Sequence, residues 1–308
     1  MSACRRQAFG VRCLPFIGVL LACVATLAPA QQPAAPDLQF PEQVMALAGN
    51  ERPQMALFKP EGAGPFPALV LLHQCGGLGG SRRPNDSMLG WAREAVAHGY
   101  VALLVDSLGP RGVDSVCNGP KGGVHVPRGV KDALQAVGHL RKFAFVDQKR
   151  IALAGYSWGA MVGVLASSAR WSGNAVPDTR FAAAVAFYPG CSAIRPPTVA
   201  AYEIVQPDID RPLLVLMGQL DTEMSADECV AKLGAAKAAG APVEWHVYPQ
   251  ATHCWDCRQL DGFSRIDVRG NSVTYRYSQE YTADSLQRMF RFLDRTMGSR
   301  PLSGSGVQ

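Results

Sequence analysis

The pentapeptide Gly155-Tyr156-Ser157-Trp158-Gly159 constrains the fold of this chain more than any other stretch. It follows Arg150-Ile-Ala-Leu-Ala-Gly155, an apolar run with the length and boundaries of a buried strand, and it opens a helical stretch over residues 157–170. A serine in a one-residue turn between strand and helix needs neighbours without side chains, because the two elements crowd together there, and Gly155 and Gly159 meet that need. Such a turn lifts the Ser157 hydroxyl above the carboxyl edge of a sheet. It also aims the first helical N–H groups at whatever the serine attacks. The bare G-x-S-x-G pattern arises by chance in a chain with 31 glycines; the strand-to-helix context gives it force.

Around this turn, short apolar runs alternate with helical patterns. Strands are expected over 67–73, 100–106, 181–188, 212–217 and 243–248, with helices over 86–98, 126–143, 225–239 and 282–297. Two weaker strand-like stretches between Glu42 and Phe58, split by Gly49-Asn50, suit an antiparallel start. The fold class predicted is α/β: a doubly wound, mostly parallel sheet flanked by helices, in one domain over 42–297. Ligands of such sheets sit beyond the carboxyl ends of the strands, where the informative loops of this sequence fall.

Residues 1–30 carry Arg5, Arg6 and Arg12 with no acid, an apolar run from Leu14 to Leu27, and the small-residue end Ala28-Pro29-Ala30. That is the pattern of a secretory signal peptide cleaved after Ala30, which predicts a periplasmic or secreted protein without stable membrane insertion. Leu20-Leu21-Ala22-Cys23 is the alternative, a loose lipoprotein box, although the apolar run continues past Cys23. Residues 31–41 read as a proline-rich linker and 298–308 as a disordered tail. Loss of the leader takes the formal charge from +5 to +2. With no basic run or aromatic-basic stripe, nothing in the chain calls for a nucleic-acid partner.

A serine hydroxyl needs a base, and the base needs an acceptor that fixes its tautomer. Of six histidines, His253 follows the last strand in Tyr248-Pro-Gln-Ala-Thr-His253 and alone satisfies the Ser, acid, His chain order of this architecture. His73 is the fallback. Asp221, in Gly218-Gln-Leu-Asp221 after the preceding strand, is the expected acid, with Glu223 its competitor. Backbone N–H groups of Trp158 and Cys75, with Gln74 as second choice for the latter, are expected to receive the oxyanion.

With these residues placed, the chain resembles the dienelactone hydrolase family of the α/β-hydrolase fold. The likeness is carried by the loop after His73, Val105-Asp-Ser-Leu-Gly-Pro-Arg-Gly112, the elbow, Gly218-x-x-Asp221 and Tyr248-x-x-Ala-x-His253. The enzyme that names the family uses a cysteine nucleophile; Ser157 stands at that position here, which points to a more general serine esterase. The resemblance also implies that Arg111 or Arg258 grips a substrate carboxylate. The expected function is a serine hydrolase cleaving small carboxylic esters or lactones through an acyl-enzyme, with no cofactor and no metal. The alternatives are a peptidase of the prolyl oligopeptidase type and a non-catalytic binding protein of the same fold.

Six cysteines follow the leader, and six permit 15 pairings. Their positions relative to the strands favour Cys75 with Cys117, Cys191 with Cys229, and Cys254 with Cys257. Zinc at the last pair would occupy the histidine that Ser157 needs, and a redox pair normally sits at a helix start after a strand. Export favours disulfides. Alkylation of the non-reduced protein, read by mass spectrometry, should therefore label none of the six, and six labelled thiols would refute the set.

Overall fold

The computed structural model describes residues 34–47, 52–79, 84–195, 200–267 and 269–298. The expected signal peptide with Cys23, the Gly49-Asn50 turn and the tail beyond residue 298 lie outside the described residues. A seven-stranded sheet runs in the order β1-β3-β2-β4-β5-β6-β7, from β1 (Ala56–Phe58), β2 (Phe66–Leu72), β3 (Val101–Val105), β4 (Val146–Tyr156), β5 (Ala183–Phe187), β6 (Leu213–Gly218) and β7 (Val243–Tyr248). β1 is antiparallel to β3, and the other pairings are parallel. The strand order reverses between β2 and β4. Their carboxyl ends splay the following loops apart into a crevice.

Both faces of the sheet are buried at its centre, so β2, β3, β5 and the second half of β4 are apolar, and alternate side chains enter different cores. Ala68, Val70 and Leu72 of β2, with Val101, Leu103 and Val105 of β3, join one cluster with α2 (Val126–Leu140), α3 (Trp158–Ala166) and α5 (Ala226–Ala238). Leu69 and Leu71, with Ala102 and Leu104, join the other with α1 (Asp86–Ala97) and α6 (Gln279–Met297). Among the described residues no helix is long and apolar enough to cross a membrane.

Three features depart from the sequence expectation. The single helix over 157–170 is two, α3 and α4 (Ala169–Ala175). Ser167 Oγ turns back to the Gly163 carbonyl, Ser168 Oγ caps α4 by accepting from the Trp171 N–H, and Asp208 takes the N–H groups of Ala169 and Arg170. A two-stranded antiparallel hairpin, β8 (Ser264–Ile266) with β9 (Ser272–Thr274), follows the His253 loop, where no element was expected. Its strands are three residues each, too short for a periodic signal.

The third departure corrects the linker assigned to 31–41: its described part, residues 34–41, is docked. Ala35 and Leu38 are buried, and the Pro36 carbonyl accepts from Arg111 and Arg128. Beneath them the buried Asp132 carboxylate takes two hydrogen bonds from Arg111, at 2.6 and 2.7 Å, and one from Arg128 at 3.0 Å. Asp132 →Asn should leave two buried guanidiniums facing one amide and cost about 3–5 kcal/mol. Urea denaturation would show this as a lower midpoint at unchanged slope.

Candidate active site

The elbow is built on close approach. A Cβ at Gly155 would overlap the Gly159 carbonyl, and one at Gly159 would overlap the Leu72 carbonyl on the neighbouring strand. Without those side chains α3 packs directly on β2 and β4. The Gly159 N–H then donates to the His73 carbonyl at 3.1 Å and the Ser157 N–H to Phe187 at 2.9 Å. Ser157 is held at φ 52°, ψ −110°, a conformation that costs a non-glycine residue on the order of 1–3 kcal/mol and persists because its surroundings over-determine it.

Gly218 makes a second close approach, against the Ala251 backbone, and the Leu220 N–H donates to the Ala251 carbonyl at 3.0 Å. This contact brings the loop after β6 against the loop after β7. Asp221 Oδ1 accepts from the Glu223 and Met224 N–H groups at 2.9 and 2.8 Å, while Oδ2 lies 2.7 Å from His253 Nδ1. His253 Nε2 lies 2.9 Å from Ser157 Oγ. With Nδ1 donating to Asp221, Nε2 is left as the acceptor for the serine proton. Burial alone would lower the His253 pKa; the charge and hydrogen bond of Asp221, joined by the charge of Glu223, outweigh burial and raise it.

Cys75 lies on the loop that follows β2, and Trp158, next to the serine in the chain, opens α3. Their backbone N–H groups have no protein acceptor among the described residues. The Cys75–Cys117 disulfide and the Val116 N–H donating to the Cys75 carbonyl at 2.9 Å tether the first loop. The other disulfides join Cys191 to Cys229 and Cys254 to Cys257. His73, the fallback base, is committed elsewhere: Nδ1 faces the Gln74 carbonyl at 2.6 Å and Nε2 accepts from the Ser107 N–H at 3.0 Å. Burial lowers its pKa, so it is a neutral bracing group stacked on Trp158.

A mostly parallel sheet with helices on both faces, a strained serine on a strand-to-helix turn, and acid and histidine on the later loops define an α/β-hydrolase fold. The dienelactone hydrolase family model matches residues 54–297, and the chain belongs to that family; it is a hydrolase. It is 24% identical over 224 residues to the "Putative carboxymethylenebutenolidase" of Yersinia pestis, covering 70% of this chain and 78% of that one. It is 26% identical over 184 residues to dipeptidyl-peptidase 5 of Porphyromonas gingivalis, covering 50% of this chain but only 26% of that protein's length. Among solved structures, the "Putative Dienelactone Hydrolase" from Klebsiella pneumoniae subsp. pneumoniae MGH 78578 superposes with a TM-score of 0.56 at 19% identity, over 76% of this chain and 89% of the other.

The two arginines expected at a substrate carboxylate are placed otherwise. All five donors of Arg111 are spent on the protein: on the Pro36 and Ser107 carbonyls and both Asp132 oxygens. With its side chain 2% exposed, Arg111 is a brace for the docked amino-terminal stretch, which corrects the binding role implied by the resemblance. Arg258 lies over the Tyr277 ring, 4.8 Å from its centroid. It lines a crevice with Asp86, Glu94 and Gln279 that none of Ser157, Asp221 and His253 borders.

Two clusters around His253 were not legible in the sequence. On one side the Tyr188 ring meets the imidazole edge-on at 4.8 Å. Its hydroxyl donates to Asp256 Oδ1 and Trp91 Nε1 donates to Asp256 Oδ2, each at 2.7 Å. Tyr-Pro-Gly at the end of β5 was visible, but nothing local ties it to residue 256. On the other side Glu223 is joined to Arg265 and Tyr275 of the hairpin region.

Burial raises the Asp256 pKa, and the Trp91 and Tyr188 hydrogen bonds partly offset this. A carboxyl with a raised folded-state pKa favours folding most at acid pH, and that contribution is lost as pH rises through the folded value. Tyr188→Phe raises the pKa further. Its destabilisation, about 1–3 kcal/mol, should be larger at pH 8 than at pH 4 in thermal unfolding, and a pH-independent loss would mean that Tyr188 acts by packing alone.

Proposed function

We propose that this protein is a serine hydrolase that cleaves small carboxylic esters or lactones through an acyl-enzyme. The observation that carries the reading is the continuous buried chain from Ser157 Oγ through His253 to Asp221, at 2.9 and 2.7 Å. In the first half-reaction His253 Nε2 takes the hydroxyl proton as Ser157 Oγ attacks the carbonyl carbon. The Cys75 and Trp158 N–H groups receive the oxyanion. The tetrahedral adduct then expels the alkoxide, which takes the proton from Nε2. In the second half-reaction water attacks the acyl carbon, gives its proton to Nε2, and the ester bond to Ser157 breaks with return of that proton. Asp221 holds the imidazole tautomer and stabilises the imidazolium.

Membership of the family supports hydrolysis of a small molecule, and Ser157 in place of the namesake's cysteine favours ordinary esters as well as lactones. The 184-residue match to dipeptidyl-peptidase 5 favours one second reading, a serine peptidase. Three disulfides and the amino-terminal leader pattern support a periplasmic or secreted location, with lipidation at Cys23 as the alternative anchor.

Fluorophosphonate should label the wild-type protein and not Ser157→Ala; absence of labelling would leave a non-catalytic binding protein. p-Nitrophenyl esters should turn over faster than dipeptidyl p-nitroanilides, and the reverse would select the peptidase. Asp221→Asn should lose roughly 10⁴ in kcat, through the wrong imidazole tautomer. The base must be neutral to act, so activity falls as pH drops through the His253 pKa. Because that pKa is raised, the acidic limb of kcat/KM should lie above the ordinary imidazole value.

A further inference from the structure

His253 is faced from two sides by carboxylates of one loop. Asp221 Oδ2 faces Nδ1 at 2.7 Å. Glu223, two residues along the same loop, places Oε2 3.9 Å from Nε2, the nitrogen that also faces Ser157. The Glu223 side chain is 9% exposed and that of His253 4%. A carboxylate this deeply buried needs a partner, and the hairpin region supplies two. Arg265 Nη2 donates to Glu223 Oε1 at 2.5 Å, the Tyr275 hydroxyl donates to Oε2 at 2.8 Å, and Arg265 Nε donates to the Tyr275 oxygen at 2.9 Å. Arg269 Nη2 reaches the Glu223 carbonyl, and Thr222 Oγ1 donates to the Ser272 carbonyl at 2.9 Å. The hairpin is therefore fastened to the acid loop, and its principal charged contact is with the carboxylate beside Nε2.

We propose that Glu223 is a positioning residue that steadies the protonated form of His253 from the Nε2 side, and that Arg265 sets the strength of that support by neutralising part of the Glu223 charge. The inference rests on the serine-hydrolase reading. When Nε2 holds the serine proton, its N–H has the departing oxygen in front of it and Glu223 beside it, so the carboxylate lowers the cost of the imidazolium without contacting substrate. The other groups facing His253 are Asp221 on Nδ1, Tyr188 against the ring face from the end of β5, Tyr275 with its ring 6.0 Å away, and Asp256 on the histidine's own loop. Asp221 and Glu223 favour the charged imidazole, whereas Arg265 opposes it. Replacing either member of the Glu223–Arg265 pair should therefore act on His253 in opposite senses.

The test compares kcat/KM against pH for a neutral p-nitrophenyl ester in wild type, Glu223→Gln, Arg265→Gln, Arg265→Lys and the double variant Glu223→Gln/Arg265→Gln. Glu223→Gln keeps the shape and the hydrogen bond accepted from Arg265 while removing the charge, and its amide N–H faces the Tyr275 oxygen in place of the hydrogen bond accepted there. It should move the acidic limb to lower pH, so that it retains about threefold more of its own plateau at pH 5.5 than wild type does. Arg265→Gln should move the limb to higher pH by a similar factor, Arg265→Lys should leave it in place, and the double variant should fall close to wild type. Limbs that stay put in both glutamine variants, or move in the same direction, overturn the proposal, since a purely structural fastening would change kcat without opposite pH shifts. Titration of the His253 ring protons by NMR in the same variants reads the same displacements without turnover. If wild type neither labels with fluorophosphonate nor hydrolyses the ester, the functional reading fails. Opposite NMR displacements would then still support the electrostatic pairing, and their absence would overturn it.

Discussion

Everything at the candidate site depends on how closely the helix after β4 can approach β2. Two missing side chains, at Gly155 and Gly159, allow the first turn of α3 to lie against Gly155 of β4 and the Leu72 carbonyl of β2, and the Gly159 N–H closes the contact on His73. Ser157 is left with a backbone conformation that an isolated chain would avoid. That strain is sustained by the cores on both faces of the sheet. The same approach holds the start of α3 against the end of β2, where the Gly159 N–H meets the His73 carbonyl.

Holding loops at the carboxyl edge is entropically costly, and the described cysteines are spent there. Cys75–Cys117 ties the loops after β2 and β3, Cys191–Cys229 ties the loop after β5 to α5 beyond the acid loop, and Cys254–Cys257 follows His253 immediately. The sequence separations of 42 and 38 residues correspond to about 4 kcal/mol each in the chain-entropy account of cross-linking. The scaffold of the sheet needs no such help, because its central strands are buried on both sides.

Three buried carboxylates show how environment divides one chemical group into separate roles. Asp132 is neutralised by two arginines and fastens the amino-terminal stretch. Asp256 has only neutral donors, and burial pushes its pKa up. Glu223 sits between a histidine and an arginine, so its influence on the imidazole depends on an arginine from another element. Desolvation is costly in all three cases, and what differs is the partner the fold provides.

The residues along the chain were enough to place the elbow, the six strands from β2 to β7 with α1, α2, α5 and α6 among them, Asp221 and His253 on their loops, and the cysteine pairing seen in the structure, because each depends on local pattern or on which strand end a loop follows. Periodicity at 2 and 3.6 residues and the glycine requirement of a sharp turn are properties of neighbouring residues. The fate of Arg111 was decided only by tertiary structure: a guanidinium in a glycine-rich loop looks free until Asp132 and the Pro36 carbonyl, 21 and 75 residues away, are folded against it. The same holds for the docking of residues 34–41, for the break between α3 and α4 imposed by Asp208, and for the Tyr188–Asp256 and Glu223–Arg265 contacts across 68 and 42 residues. Hydrogen bonds and ion pairs between distant residues leave no periodic trace, because their geometry exists only once hydrophobic packing has brought the elements together.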